Sequence, residues 1–313
     1  MTAKLADYLG LLRPQPMARW SIGIYAGPSP FQLTPYPGPA AQPVLSPRSL
    51  GAIKADGVAD PFMVRFGNQW LMFFEVENRR SGKGEVGLAT SPDALSWKFQ
   101  GIVLAEPFHL SYPQVFEDAG AWYLLPEAAS SGGTRLYQAG ASPMGPWHLA
   151  AILIDVPLVD PTLFRHDGRW WLLALKGFRA EDELVLYHAD RLAGPWRPHR
   201  ANPLLRRDRR AVRPAGRVIR HQGALIRFSQ DYTEYYGRRV RAFAIDQLSP
   251  QVYDEHELDL EILSPSGQGW NASGMHHLDA HPLAPKGWIA CVDGRRTKLK
   301  WPIWDRFLTR MAK

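Results

Sequence analysis

A chain of 313 residues, 45% of them hydrophobic, is long enough to bury a sizeable core, and a formal charge of +7 favours anionic ligands: phosphorylated sugars, anionic head groups or nucleic acid. The single cysteine, Cys291, excludes an internal disulfide framework, and no apolar run is long enough to span a membrane. Twenty-seven glycines, 27 prolines and 12 tryptophans suit many short strands joined by tight turns.

Residues 1–18 read as an extension with a short amphipathic helix around Leu5–Leu12, ended by Pro14 and Pro16. They lack an apolar core followed by a small-residue cleavage site, so the expectation is no signal peptide and a cytoplasmic location. Trp20–Tyr25 and Phe31–Leu33 alternate as strands do.

From Ala59 a unit begins to repeat. ADPFMVRFGNQWLMFFE opens on an X-Pro pair, turns, places a tryptophan ten residues after X, and ends on a polar residue at X+15. The second copy is SYPQVFEDAGAWYLLPE, with Tyr112, Trp122 and Glu127, and the third is VDPTLFRHDGRWWLLAL, with Asp160, Trp170 and Leu175. A looser fourth copy, VRPAGRVIRHQGALIRFSQ, runs from Arg213-Pro214 to Gln230 with a longer turn. Aligning Trp288 yields a degenerate fifth, with His277 at X and Asp293 at the end. The proline-to-proline steps are 52, 48 and 53 residues.

After each hairpin come an apolar strand, often a Ser-Pro or Gly-Pro turn with a tryptophan, and another strand, as in TRLYQAGASPMGPWHLAAIL. Four strands per unit and five units predict an all-β fold, a five-bladed β-propeller over 19–298. The fifth repeat is short of outer strands, so the N-terminal strands are expected to complete the last blade and remove its open edge. Arg206–Arg210 reads as a solvated loop. The basic, aromatic tail 299–313 is a candidate contact with a membrane surface or a partner protein, or packs on the outside of a blade.

Equivalent positions of a propeller meet around one axis. X gathers Asp60, Tyr112, Asp160, Arg213 and His277, and X+15 gathers Glu75, Glu127, Leu175, Gln230 and Asp293. Buried charges are costly unless paired or used, so this convergence marks a candidate site. His276, His277 and Asp279 lack tight metal-ligand spacing, and the histidine reads as hydrogen-bonded within the channel, with no metal assigned and a central cation beside His277 left open. Arg217, Gln230 and Asp231 join as candidate binders of hydroxyls or anions. Trp70, Trp122, Trp170 and Trp288 read as inter-blade packing. No phosphate loop, nucleophile elbow, zinc pattern or nucleic-acid module is present.

The repeated motifs resemble the five-bladed propellers related to glycoside hydrolase families 43 and 130. More closely they are similar to the N-terminal propeller of glucosamine inositolphosphorylceramide transferases. In family 43 an aspartate opening the first blade is the base, a later aspartate tunes it, and a glutamate is the acid. The resemblance implies Asp60 as base and Asp160 as the tuning aspartate. Arg213 stands where the acid belongs and cannot protonate a leaving group. Either Glu75 or Glu127 supplies the proton, or the leaving group is a phosphate that needs none. The resemblance therefore implies transfer or phosphorolysis of a glycosyl unit from a phosphorylated donor, with no required cofactor. Tyr112, Arg213, Arg217, Gln230, Asp231, His276, His277 and Asp293 would bind the sugar or sugar phosphate. A family-43-type hydrolase and a non-catalytic glycan-binding propeller are the alternatives.

Overall fold

The computed structural model describes residues 15–38, 42–177, 181–283 and 286–300. The four X-Pro repeats and the degenerate fifth at His277 each supply the inner strand of one antiparallel sheet, and the five sheets form a five-bladed β-propeller. Blade one runs outward through Ala55–Phe66, Gln69–Asn78, Lys83–Ser91 and Lys98–Leu104. Blade two uses Ser111–Asp118, Ala121–Glu127, Thr134–Ala139 and His148–Ile154. Blade three is built on Leu158–His166, Arg169–Lys176 and Glu183–Ala189, edged by the short Arg197–Pro198 and Leu205–Arg206.

The inner hairpins of blades two, three and four close on two residues with left-handed backbone, Ala119-Gly120, Asp167-Gly168 and Gln222-Gly223. This mirror-image turn matches the twist of paired strands, which is why a glycine recurs there. In blade four the inner strand is broken into Arg213–Pro214 and Ile219–His221, both paired with Ala224–Asp231, followed by Arg239–Leu248 and Tyr253–Glu257. The longer fourth repeat is thus absorbed as an interruption before the turn.

Blade five joins the two ends of the described chain. Leu278–Pro282 and Trp288–Lys300 are followed outward by Gln15–Ser29 and Gln32–Pro35. The closing register runs unbroken from Gln15 opposite Lys300 to Gly27 opposite Trp288. The strand already starts at Gln15, inside the segment read as an extension. The expected helix at Leu5–Leu12 and residues 301–313 of the tail lie outside the described residues. No helix among the described residues is long and apolar enough to cross a membrane.

The repeated tryptophans pack one blade on the one before it. Trp122 meets Phe66 at 5.9 Å between ring centres, Trp170 meets Phe116 at 5.8 Å, and Trp288 meets His221 at 5.5 Å. Trp70 meets His281 of blade five at 5.8 Å. Each ring contact adds to the area that the tryptophan buries, so the spacing records blade packing rather than ligand binding.

Candidate functional site

A proline after X cannot donate to the ladder. In blades one to three the pairing slips there, between Ala59 and Phe62, Ser111 and Gln114, and Val159 and Thr162. At each slip X takes up left-handed backbone: Asp60 at φ 52°, Tyr112 at 48° and Asp160 at 49°. For a residue with a side chain this costs about 1–3 kcal/mol, and it recurs only where surrounding structure enforces it. The X+15 residue lies directly across the hairpin from X−1, as Glu75 opposite Ala59 and Glu127 opposite Ser111. Repeat position therefore becomes position in space.

Asp60 is 5% exposed and Asp160 1%. Asp160 Oδ2 accepts from Arg213 Nε at 2.5 Å and from Gln230 Nε2 at 2.9 Å, while its Oδ1 is buried with no partner. The Asp60 N–H donates to Asp293 Oδ2, and the Asp60 carboxylate lies 3.9 Å from His276 Nδ1 and 3.8 Å from His277 Nδ1. Burial, joined by the like charges of Asp160 and Asp293, pushes the Asp60 carboxyl up to about 7 against the opposing charges of His276 and Arg213. Burial raises Glu127 to about 7 even though it accepts from the Ala129 N–H and the Ser111 hydroxyl. Glu75 is held well above the carboxylate range by burial and by the neighbouring charges of Asp60, Glu77, Glu127 and Asp160. Near neutral pH this end of the channel holds carboxyls able to accept or donate a hydrogen bond.

Asp293 organises the cluster. Its Oδ1 accepts from the N–H groups of His276 and His277 at 3.0 and 3.1 Å, and its Oδ2 stands 2.7 Å from His276 Nδ1. Burial opposes the charge on both partners, yet their attraction raises the His276 pKa and lowers that of Asp293. Ligand atoms of Asp60, His276 and Asp293 come within 4.8 Å of one another, the spacing of a cation site. Asp293 Oδ1 already accepts two backbone N–H groups and Oδ2 one, so Asp293 has only Oδ2 left to offer a cation.

Tyr112 and His277 fill the axis. The Tyr112 hydroxyl pairs with Thr162 Oγ1 at 2.8 Å and accepts from the Gly216 N–H. His277 was expected to be hydrogen-bonded, but both its ring nitrogens lack a partner and its ring lies edge-on to Phe62 and Tyr112. Burial lowers it to about 4, so it is neutral. Hydrogen bonding falls instead to His276.

Two expected site residues lie elsewhere. Asp231 follows Gln230 in one strand, and consecutive strand residues point to opposite faces. Gln230 reaches Asp160, so Asp231 turns away, into Thr233, Arg239 and Arg241. Arg217 is committed further along the channel, donating to Asp279 Oδ1 at 2.9 Å and to the Val115 carbonyl at 3.1 Å. It lines a separate cavity of about 290 Å³.

Three participants carried no repeat signal. Tyr236, in the loop after Gln230, pairs its hydroxyl with His276 Nε2 at 3.0 Å and lies beneath the Arg213 guanidinium, 5.1 Å from its ring centre. Trp20 stacks on His276 at 4.0 Å from the closing strand. His109 Nδ1 accepts from the Gly84 N–H, which leaves Nε2 to carry the proton, 3.3 Å from Glu75 Oε1. Glu75 and His109 also line a cavity of about 350 Å³.

The family model for the N-terminal region of glucosamine inositolphosphorylceramide transferase 1 matches residues 13–295. The chain belongs to this family. It is 36% identical over 304 residues to glucosamine inositolphosphorylceramide transferase 1 of Oryza sativa subsp. japonica, covering 90% of this chain and 41% of that protein. The Arabidopsis thaliana protein of the same name is 33% identical over 298 residues, covering 88% and 39%. The chain thus spans about two fifths of the length of these relatives. Among solved structures, a thermostable family-43 glycoside hydrolase superposes with a TM-score of 0.57 at 14% identity, covering 77% of this chain and 89% of that one. At that identity the likeness is one of fold. The match confirms the expected family and its five-bladed architecture.

Proposed function

We propose that this end of the channel binds a glycosyl unit, and that the protein is carbohydrate-active, transferring that unit with Asp60 as the base. The observation that carries the reading is the pair of carboxyls at Asp60 and Glu127, both raised to about 7, beside Asp160 with its unpartnered oxygen. A base poised near neutrality suits proton abstraction from a sugar hydroxyl. Asp60 takes the proton of the acceptor hydroxyl as the new bond to the anomeric carbon forms and the bond to the leaving group breaks. Asp160, fixed by Arg213 and Gln230, offers Oδ1 to a ring hydroxyl. Glu127 or Glu75 donates to the leaving oxygen where one is needed. A phosphorylated donor fits here once Arg213 exchanges Asp160 for the phosphate.

The plant relatives are named for transfer involving glucosamine and an inositolphosphorylceramide. Glucosamine, with several hydroxyls and an ammonium, matches a cluster rich in carboxyls. Its binding would re-ionise Asp60 and Glu127 and release protons, so affinity rises as pH passes upward through about 7.

One observation favours a second reading, glycan binding without turnover: Asp160 and Arg213 are closed on each other, and Tyr112 fills the axis behind them. Calorimetry with glucosamine and neutral sugars between pH 6 and pH 8, followed by transfer assays with phosphorylated donors, separates the two. Transfer lost with binding retained in Asp60→Asn supports the base role. Transfer retained in that variant overturns it, and binding without any turnover leaves the second reading.

A further inference from the structure

The closing strands of blade five carry two different faces. On one side Trp20 and Arg295, paired across the ribbon, turn to the channel: Trp20 stacks on His276, and Arg295 donates to the Tyr236 carbonyl at 2.7 Å. The next pair, Arg19 opposite Arg296, projects from the other face, because side chains alternate along a strand. Two arginines directly opposed in an antiparallel pair repel and destabilise the sheet. Among the described residues neither has an acidic partner.

A third guanidinium converges on this pair. Arg19, Arg296 and Arg48, the last from the turn Pro47–Leu50, line one cavity of about 450 Å³, and Arg48 also has no ion pair among the described residues. Trp270 forms another wall. Its indole lies against the ribbon where Gly23 and Gly294 leave room; a Cβ at either position would come within 2.4 Å of the ring. Ser21 and Ser46 add hydroxyls to the lining.

We propose that this cavity, on the far side of the ribbon from the channel, binds a phosphoryl group carried on a ring-bearing ligand. The opposed guanidiniums of Arg19 and Arg296 hold the phosphoryl oxygens, Arg48 approaches from the turn, and the ring lies against Trp270. Guanidinium forks match phosphate geometry, and a bound phosphoryl anion converts the Arg19–Arg296 repulsion into a bridge. The cavity volume is that of a site for a small ligand. The ligand is either a soluble sugar phosphate or a lipid head group of the same chemistry, and vesicles tell these apart.

The test is a thermal-shift and calorimetric titration with glucose 1-phosphate, inorganic phosphate and glucose, in chloride buffer. Glucose 1-phosphate is expected to stabilise the protein more than inorganic phosphate does, and glucose to have no effect through this cavity. The double substitution R19Q/R296Q should weaken glucose 1-phosphate at least about tenfold, as loss of charge-assisted bonds predicts. In phosphate-free buffer the same variant should melt at or above the temperature of the unaltered protein, since the repulsion is gone. Asp60→Asn should keep the response, which separates this cavity from the channel site. Sedimentation with phosphatidylcholine vesicles containing phosphatidylinositol, lost in R19Q/R296Q, would assign the ligand to a lipid; a response confined to the soluble ester would assign it to a sugar phosphate. No response to any phosphoryl probe, or one undiminished in R19Q/R296Q, overturns the proposal.

Discussion

Two buried ionic groups share the channel and differ in how completely they are satisfied. Around Asp279 every oxygen has a donor: Oδ1 takes Arg217, and Oδ2 takes the Met63 N–H and lies 2.8 Å from His281 Nε2. Burial works against that charge, but Arg217 and His281 outweigh it and hold the carboxyl below its usual range. Around Asp60 the burial is similar but carboxyls meet carboxyls, and Asp60, Glu75 and Glu127 are all raised. The same fold thus builds a structural ion pair at one level and a poised cluster at another. The difference lies in partners rather than in depth.

The largest effect should come from breaking the satisfied group. Asp279→Ala strands Arg217 and the Met63 N–H, and urea unfolding at pH 7 should show a loss of about 3 kcal/mol or more. A loss under about 1 kcal/mol would erase the contrast between the two groups.

Next is Asp60→Asn, which should do the opposite. The folded-state pKa of Asp60 lies above its unfolded value, so the folded protein keeps a proton that the unfolded chain has released. This contribution is fully present below about pH 4 and is lost as pH rises toward about 7. At pH 8 the asparagine variant should therefore be more stable, on the order of 2 kcal/mol, with a flatter dependence of melting temperature on pH between 4 and 8. Equal or lower stability at pH 8 would show that Asp60 is matched there.

Glu127→Gln should follow the same sign with a smaller gain of roughly 1 kcal/mol, because Glu127 already accepts two hydrogen bonds. Parallel melting curves across pH 5–8 can check it. The smallest effect is expected for Tyr236→Phe, about 1 kcal/mol or less, from loss of the hydroxyl beside His276 Nε2. Removing that acceptor should move the His276 titration downward in an NMR experiment, and an unmoved titration would take Tyr236 out of the cluster.

Much of this was written in local periodicity. X-Pro, the two-residue turn and the tryptophan ten residues on recur because each blade solves the same packing problem, so they disclose five blades and their closure. They also disclose that Asp60, Tyr112, Asp160, Arg213 and His277 share one end of the channel. What each does there depends on partners hundreds of residues away, as in Asp60 with Asp293, or one blade over, as in Asp160 with Arg213. Tyr236 and Trp20 enter from a loop and the closing strand and leave no mark in the repeat. Asp231 shows the limit at the scale of one residue: strand alternation sends it away from the channel that its neighbour Gln230 faces.

The sequence by itself determined the architecture and the positions that converge, because both follow from period, turn chemistry and burial along the chain. Tertiary structure alone decided which carboxyls are paired and which are poised, and that Arg19 and Arg296 on one face of the closing ribbon meet Arg48 from the turn with no acidic partner among the described residues. Charge interactions depend on distance in space, and that distance exists only once the ring of blades has closed.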